Sequence, residues 1–95
     1  MLKSRATVET TKASRYLKAL CNHFNRRVEA SYSDTQGTVA FEIGDCQMEA
    51  TDNALIIMVQ ADSDEHFEQV KSVVGDHLIR FAPNEELTIN WEDES

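Results

Sequence analysis

The spacing of apolar residues changes twice along this chain, and this change limits the fold more than any other feature of the sequence. The residues from Val28 to Ala61 follow strand patterns, and up to Thr51 apolar and polar residues alternate, as in β-strands that have one face in a core. On either side of this stretch, apolar residues recur at three- and four-residue spacings, which are typical of amphipathic helices. The pattern predicts a strand-rich middle between two helices.

Turn residues divide the alternating stretch into strands. Gly-Asp at residues 44–45 and Asp-Asn at residues 52–53 are residue types that favour two-residue hairpin turns. Strands joined by such short turns pair in antiparallel fashion. Residues 54–61 are apolar on both faces, which predicts a central strand. Residues 4–9 and 87–91 also alternate and predict a first and a last strand.

Each predicted helix has a capping residue and one apolar stripe. Thr10 or Thr11 is expected to cap the first helix, and Asp62 or Ser63 the second. The first stripe consists of Ala13, Tyr16, Leu17, Leu20, Cys21 and Phe24. The second stripe consists of Phe67, Val70, Val74, Leu78 and Phe81. Two helices with one stripe each are best buried on the same face of a sheet.

These elements predict an α+β fold of order β-α-β-β-β-β-α-β, an antiparallel sheet with two helices packed on one face. We expect one domain over residues 1–95, with a folded core at 4–91 and a frayed acidic tail at 92–95. No apolar run reaches the ~18 residues of a membrane-spanning helix, and the N-terminus lacks the apolar segment of a secretory signal. We therefore expect a cytoplasmic protein with free thiols.

Charge is distributed unevenly, with a net of +6 over residues 1–28 and −14 over residues 29–95. An acidic body disfavours nucleic-acid binding, which depends on Lys and Arg neutralising phosphates. The outer side of the first helix carries Lys12, Arg15, Lys18 and Arg26. These side chains either neutralise acidic segments of the same molecule or bind an acidic protein partner.

A Cys-x-His pair, Cys21 and His23, lies in the first helix, and Cys46 points toward the core face of its strand. Residues two apart on a helix point about 200° apart, so Cys21 and His23 do not face each other. With Cys46 the set is still one ligand short of a closed zinc site. We expect structural cysteines and no bound metal. The alternative is a metal- or iron-linked accessory protein that uses all three residues.

The remaining titratable residues form no catalytic pattern. His66 is expected at the surface and His77 against the sheet edge, while Glu85 and Glu86 are expected in a solvated loop. Asp76 and Arg80 are spaced to pair along the second helix. The sequence contains no Gly-rich phosphate loop, nucleophile elbow, HExxH or CxxC motif. We therefore expect neither an enzyme nor a bound cofactor.

The sheet face that the helices leave open is expected to have an apolar centre, formed by Ala40, Ile56 and Met58, inside a polar rim. This composition suits either a homodimer interface or a shallow ligand platform, and a solvated sheet face is the simpler alternative.

Two stretches of the chain resemble a known bacterial family, domain of unknown function 2218. They are RYLKALCNHF at residues 15–24 and HLIRFAPNEELTINW at residues 77–91. The resemblance spans about residues 5–91. It implies a shared α+β fold and a bacterial source, and it implies no activity, because none is assigned to that family. The sequence as a whole predicts a small binding or interaction module.

Overall fold

The computed structural model describes residues 2–83, 85 and 87–94. Within these ranges, six strands and two helices follow one another in the predicted order. They are β1 (Leu2–Glu9), α1 (Ala13–Phe24), β2 (Glu29–Tyr32), β3 (Gln36–Phe41), β4 (Gly44–Ala50), β5 (Ala54–Ala61), α2 (Asp64–Phe81) and β6 (Trp91–Glu94). The predicted α+β fold is confirmed.

All six strands belong to one sheet of order β2-β3-β4-β5-β1-β6, and every neighbouring pair is antiparallel. The strands from β2 to β5 follow the chain as a meander, while β1 lies between β5 and β6. β5 pairs with β4 on one side and with β1 on the other. This confirms the central strand that the apolar residues on both of its faces predict.

Both helices cover the same face of the sheet. All six residues of the predicted α1 stripe are buried, and so are Phe67, Val70, Val74 and Leu78 of α2. They pack on alternate residues of the strands, among them Val8, Val39, Leu55 and Ile57. Phe81 is 37% exposed, so the predicted α2 stripe is one residue too long. The Phe81 ring contacts His23 at the end of α1 instead of the sheet.

The hairpin between β3 and β4 turns earlier than predicted. Phe41 pairs with Gly44, so the turn consists of Glu42 and Ile43 and not of residues 44–45. Gly44 has no positive φ, and a Cβ atom there would overlap the carbonyl oxygen of Gln60. Gly44 is therefore required for a close approach between two backbones inside the sheet, and not for a turn.

The helix caps agree with the sequence prediction for α2 only. The Ser63 hydroxyl accepts a hydrogen bond from the His66 N–H at 3.2 Å, which confirms the predicted cap of α2. α1 begins after Lys12 and has no side-chain cap. The predicted threonine cap is wrong, because the Thr10 hydroxyl accepts from the Lys12 N–H at 3.1 Å, one residue before the helix begins, and donates to the Glu85 carboxylate at 3.2 Å.

The last strand lies further along the chain than predicted. Residues 91–94 pair with residues 3–6 of β1, whereas the alternation predicts a strand at 87–91 and a frayed tail at 92–95. Lys71 also lies 3.4 Å from the Asp93 carboxylate. Leu87 and Ile89 pack against the core without strand pairing, because side-chain burial and backbone pairing are separate requirements. Ser95 lies outside the described residues.

Candidate functional site

The C-terminal turns of α1 and α2 meet and form, with the chain that follows α1, a cleft of about 480 Å³. We call it the basic cleft. It is lined by three arginines (Arg26, Arg27 and Arg80), two histidines (His23 and His77) and four apolar residues (Phe24, Val28, Phe41 and Val73). Its volume lies within the range of about 300–1,000 Å³ that is usual for small-molecule sites.

Aromatic rings form a continuous chain along the cleft. The Phe41 and Phe24 ring centroids are 5.0 Å apart, those of Phe24 and His77 are 5.1 Å apart, and those of His77 and His23 are 4.9 Å apart. Outside the cleft lining, the Phe81 ring lies 5.6 Å from His23. These separations are favourable for aromatic pairs. Three of the four phenylalanines and two of the three histidines of the protein therefore gather here.

The turn after α1 positions two of the arginines. Backbone N–H groups of residues 25–28 donate to carbonyl groups of the last α1 turn, which satisfies carbonyls that a helix end otherwise leaves free. The Asn25 side-chain oxygen accepts a hydrogen bond from the Ala30 N–H at 3.2 Å, and this bond connects the turn to β2. Arg26 and Arg27 are part of this turn and line the cleft from there.

His77 has a fixed ring orientation. Its Nδ1 donates to the Val73 carbonyl oxygen at 2.7 Å. Because a carbonyl oxygen can only accept, Nδ1 carries the proton and Nε2 is the nitrogen available to a ligand or to a second proton.

The charges of the cleft are positive. Within residues 2–83, 85 and 87–94, its lining includes no carboxylate, and Arg26, Arg27 and Arg80 form no ion pair. Desolvation lowers the pKa of His23, and the charges of His77 and the three arginines lower this pKa further. Among the described residues, every charge that shifts the His23 pKa is therefore positive.

The negative ends of the two helices account for only part of this concentration of basic residues. α1 and α2 both end at the cleft, and a helix C-terminus carries about half a negative charge, which favours basic residues nearby. Two helix ends supply about one negative charge, whereas three guanidinium groups carry three positive ones. An excess of about two positive charges remains, within a protein of net charge −8.

The predicted metal candidates lie apart. Cys21 and Cys46 are free thiols inside the core, 0% and 1% exposed, whereas His23 faces the basic cleft. Burial raises the pKa of Cys21 to about 11, and burial together with the nearby Cys21 raises the pKa of Cys46. In the part of the chain that the structure describes, no three His, Cys, Asp or Glu side chains form a group able to hold a metal.

The predicted basic face of α1 is not one surface. Lys18 lies 2.6 Å from the Asp34 carboxylate, and the two charges neutralise each other. The hydrogen bond and the charge of Lys18 lower the pKa of Asp34. Arg26 lines the basic cleft, while Lys12 and Arg15 are exposed. An acidic protein partner at Lys12 and Arg15 stays a prediction.

The open sheet face has a smaller apolar centre than predicted. Ala40 pairs with Asp45 and Met58 with Gln47, so β4 and its polar side chains separate Ala40 from the pair Ile56 and Met58. The surface that two half-buried side chains expose is small compared with the ~800 Å² that each partner buries in a standard interface. A homodimer through this face stays a prediction.

Three other expectations about titratable residues have different outcomes. His66 is at the surface, with Nδ1 3.3 Å from the Asp62 carboxylate. Glu85 is half-buried and accepts hydrogen bonds from the Thr10 and Tyr16 hydroxyls, so the solvated-loop prediction is wrong for it, and Glu86 lies outside the described residues. Asp76 accepts from the Ser72 hydroxyl at 3.4 Å and makes no ion pair with Arg80.

Sequence reasoning missed the basic cleft as a site. It considered His23 with Cys21, placed His77 at the sheet edge, expected Arg80 to pair only with Asp76, and assigned no binding role to Arg27 or Phe41. A signal is present nevertheless, because each helix ends in the spacing His-x-x-Arg, at residues 23–26 and 77–80. Within α2, residues three apart share one side of the helix, so His77 and Arg80 point in the same direction. Arg26 lies in the turn after α1 and reaches the cleft from there.

Comparisons with known proteins place the chain in a family. Residues 5–92 match the sequence profile of a family described as "Uncharacterized protein conserved in bacteria (DUF2218)". None of the curated proteins matches the sequence.

Six chains of solved structures match this one. One is the NMR structure of PA4090 from Pseudomonas aeruginosa, which is 28% identical in sequence. The alignment covers 97% of this chain and 96% of that chain, with a TM-score of 0.82. The two proteins therefore share the fold over almost their whole length.

Neither α1 nor α2 combines the length and apolar character that a membrane-spanning helix requires.

Proposed function

Since this chain belongs to the DUF2218 family of bacterial proteins, for which no activity is assigned, we propose a function from its own geometry: a small binding module that holds an anionic ligand in the basic cleft. One observation carries the proposal. Three arginines and two histidines line a cleft whose described lining contains no carboxylate, in a protein that has almost twice as many acidic as basic residues.

Two lysines elsewhere in the protein form ion pairs within the molecule. Lys18 pairs with Asp34, and Lys71 lies 2.7 Å from Glu68 and 3.4 Å from Asp93. Other exposed lysines and arginines also form no ion pair among the described residues, so the convergence of three arginines is what distinguishes the cleft. Three guanidinium groups in one cleft repel each other, and a ligand that brings its own negative charge offsets this repulsion.

The chemistry of the cleft supports binding more than catalysis. A guanidinium group donates two parallel hydrogen bonds to a carboxylate or phosphate, and it keeps its charge at any physiological pH. Cys21, the nucleophilic residue nearest to His23 in the sequence, lies in the core with a pKa of about 11. The separation of the two thiols from His23 also gives no support to a metal- or iron-linked function through Cys21, His23 and Cys46.

A titration with inorganic phosphate, followed by amide NMR shifts, tests this function. We expect the largest shifts at residues 23–28 and 77–81. Arg26→Gln and Arg80→Gln are each expected to weaken phosphate binding about tenfold, because each removes a charge-assisted hydrogen-bond donor.

Arg15→Gln is the matched control. It makes the same change of charge on an exposed arginine of α1, eleven residues before Arg26 and about 16 Å away along a helix axis. It should leave phosphate binding unchanged. Phosphate shifts that avoid the cleft, or equal losses in Arg80→Gln and Arg15→Gln, would show that only the net charge of the protein matters and would remove the proposal.

A further inference from the structure

The walls of the basic cleft contain more than an inorganic anion needs. Guanidinium and imidazole groups alone would hold phosphate, yet Val28, Phe41 and Val73 also line the cleft. Phe41 and His77 are half-buried, and His23 is exposed, so parts of their rings remain open to a ligand. Apolar walls with a few polar groups are typical of sites for organic molecules.

The size of the cleft also favours an organic molecule over an inorganic anion. At about 30 Å³ per water molecule, its volume of about 480 Å³ has room for about 16 waters. A single inorganic anion would fill only a small part of this space. A ligand of about a dozen non-hydrogen atoms would contact both the arginines and the rings.

We propose that the natural ligand of the basic cleft is a planar aromatic molecule that carries a dianionic group, a phosphate monoester or a dicarboxylate. This inference rests on the proposed function. The dianion matches the excess of about two positive charges that remains after the helix ends are counted. The aromatic ring matches the chain of rings from Phe41 through Phe24 and His77 to His23.

Planarity follows from the groups that face the cleft. Phenyl, imidazole and guanidinium groups are all flat, and each of them stacks favourably on an aromatic ring. Phe41 comes from β3, His23 from the end of α1 and His77 from α2. Because the fold brings these groups from three elements to one cleft, a flat ligand could contact several of them at once.

Four small probes separate the contributions of the ring and the charge. Phenyl phosphate carries both, phthalate carries the ring with two carboxylates, inorganic phosphate carries the charge alone, and phenol carries the ring alone. We expect phenyl phosphate to bind about tenfold more tightly than inorganic phosphate, since one ring contact contributes about this factor. Phenol should not bind measurably. The relative affinity of phenyl phosphate and phthalate then identifies the anionic group as a phosphate or a dicarboxylate.

Two matched variants locate the ring contact. Phe41→Leu should remove most of the advantage of phenyl phosphate and leave the affinity for inorganic phosphate unchanged. Phe81→Leu is the control, because Phe81 is exposed and lies outside the cleft lining. It should keep the tenfold advantage.

The outcomes distinguish this inference from the proposed function. Equal affinity for phenyl phosphate and inorganic phosphate at the cleft would overturn the aromatic ligand and leave the anion-binding module in place. So would an equal loss for both probes in Phe41→Leu, because it would report a change of the whole cleft. If none of the three anions binds at the cleft, both proposals are wrong.

Discussion

Cys21 and His23 are two residues apart on α1, yet they belong to regions of opposite physical character. Cys21 is fully buried between the helix and the sheet, where burial raises the pKa of its thiol to about 11. His23 is exposed at the helix end, where desolvation and positive neighbours lower its pKa. The comparison teaches that neighbours in a motif need not share a site, because a helix directs them to different surroundings.

The largest expected effect concerns the thiols on the core side. A pKa of about 11 in place of 9.0 lowers the thiolate fraction of Cys21 at pH 8 about a hundredfold, and burial of the sulfur restricts access further. We expect iodoacetamide to modify the folded protein at least a hundredfold more slowly than the urea-unfolded protein. Mass spectrometry counts the labels at each time point. Rapid labelling of either cysteine in the folded protein would contradict the burial of both thiols in the core.

The second effect concerns packing around Cys21. A Cβ atom at Gly37 would lie 2.7 Å from the Cys21 Sγ and 3.1 Å from a Leu17 methyl carbon. Gly37→Ala is therefore expected to lower the free energy of unfolding by about 1–3 kcal/mol, the usual cost of overpacking a core. Urea denaturation measures this loss. Phosphate affinity at the basic cleft should not change.

Gly75→Ala is the matched control for this substitution. The nearest atom to its added Cβ, in Ile89, would be 3.6 Å away, an ordinary contact. Because alanine is also the better helix former, this variant should gain up to ~1 kcal/mol. If Gly37→Ala were as stable as Gly75→Ala, the tight contact with Cys21 would be refuted.

The smallest effect concerns protonation on the cleft side. The pKa of His23 in the folded protein lies below its ordinary 6.5, so the unfolded chain binds the proton more readily. The contribution of His23 to stability is thus complete above pH 6.5 and declines as the pH falls through the folded pKa. A bound anion whose own charge is constant over this interval, such as sulfate, has the opposite effect, because its charge favours protonated His23, and its affinity should rise over the same interval.

The charges that face His23 give this prediction its test. They come from His77 and Arg80 of α2 and from Arg26 and Arg27 of the turn after α1. Arg80→Gln should raise the midpoint of the His23 NMR titration, and Arg15→Gln should leave it in place. A His23 midpoint at or above 6.5 in the unliganded protein would contradict the positive surroundings.

The fold could be predicted to a large extent, because periodicity reports which side chains a core must cover. All six residues of the α1 stripe are buried, and the apolar residues on both faces of β5 correspond to a strand paired on both sides. Gly44 shows the limit. A glycine can serve a turn or a close approach, and only the neighbouring strand, with the carbonyl of Gln60, decides between them.

The basic cleft could not be predicted in the same way. His23 and His77 are on different helices, and their 4.9 Å separation depends on how α2 packs against α1. Side-chain periodicity describes each helix against the sheet and contains no information on that packing. The repeated His-x-x-Arg spacing at the two helix ends was available in the sequence, but it suggests a site only once both ends are known to meet.

The position of β1 between β5 and β6 affects how the protein can be made. β1 is synthesised before β5, and Ala6 pairs with Ile57, about fifty residues later. At about 5–20 residues per second, a ribosome needs about 3–10 seconds to make that partner. During this time the apolar stripe of α1 can pack only on β2, β3 and β4, and the long-range pairing delays folding. Nascent chains of this protein therefore expose apolar surface until β5 is available for pairing.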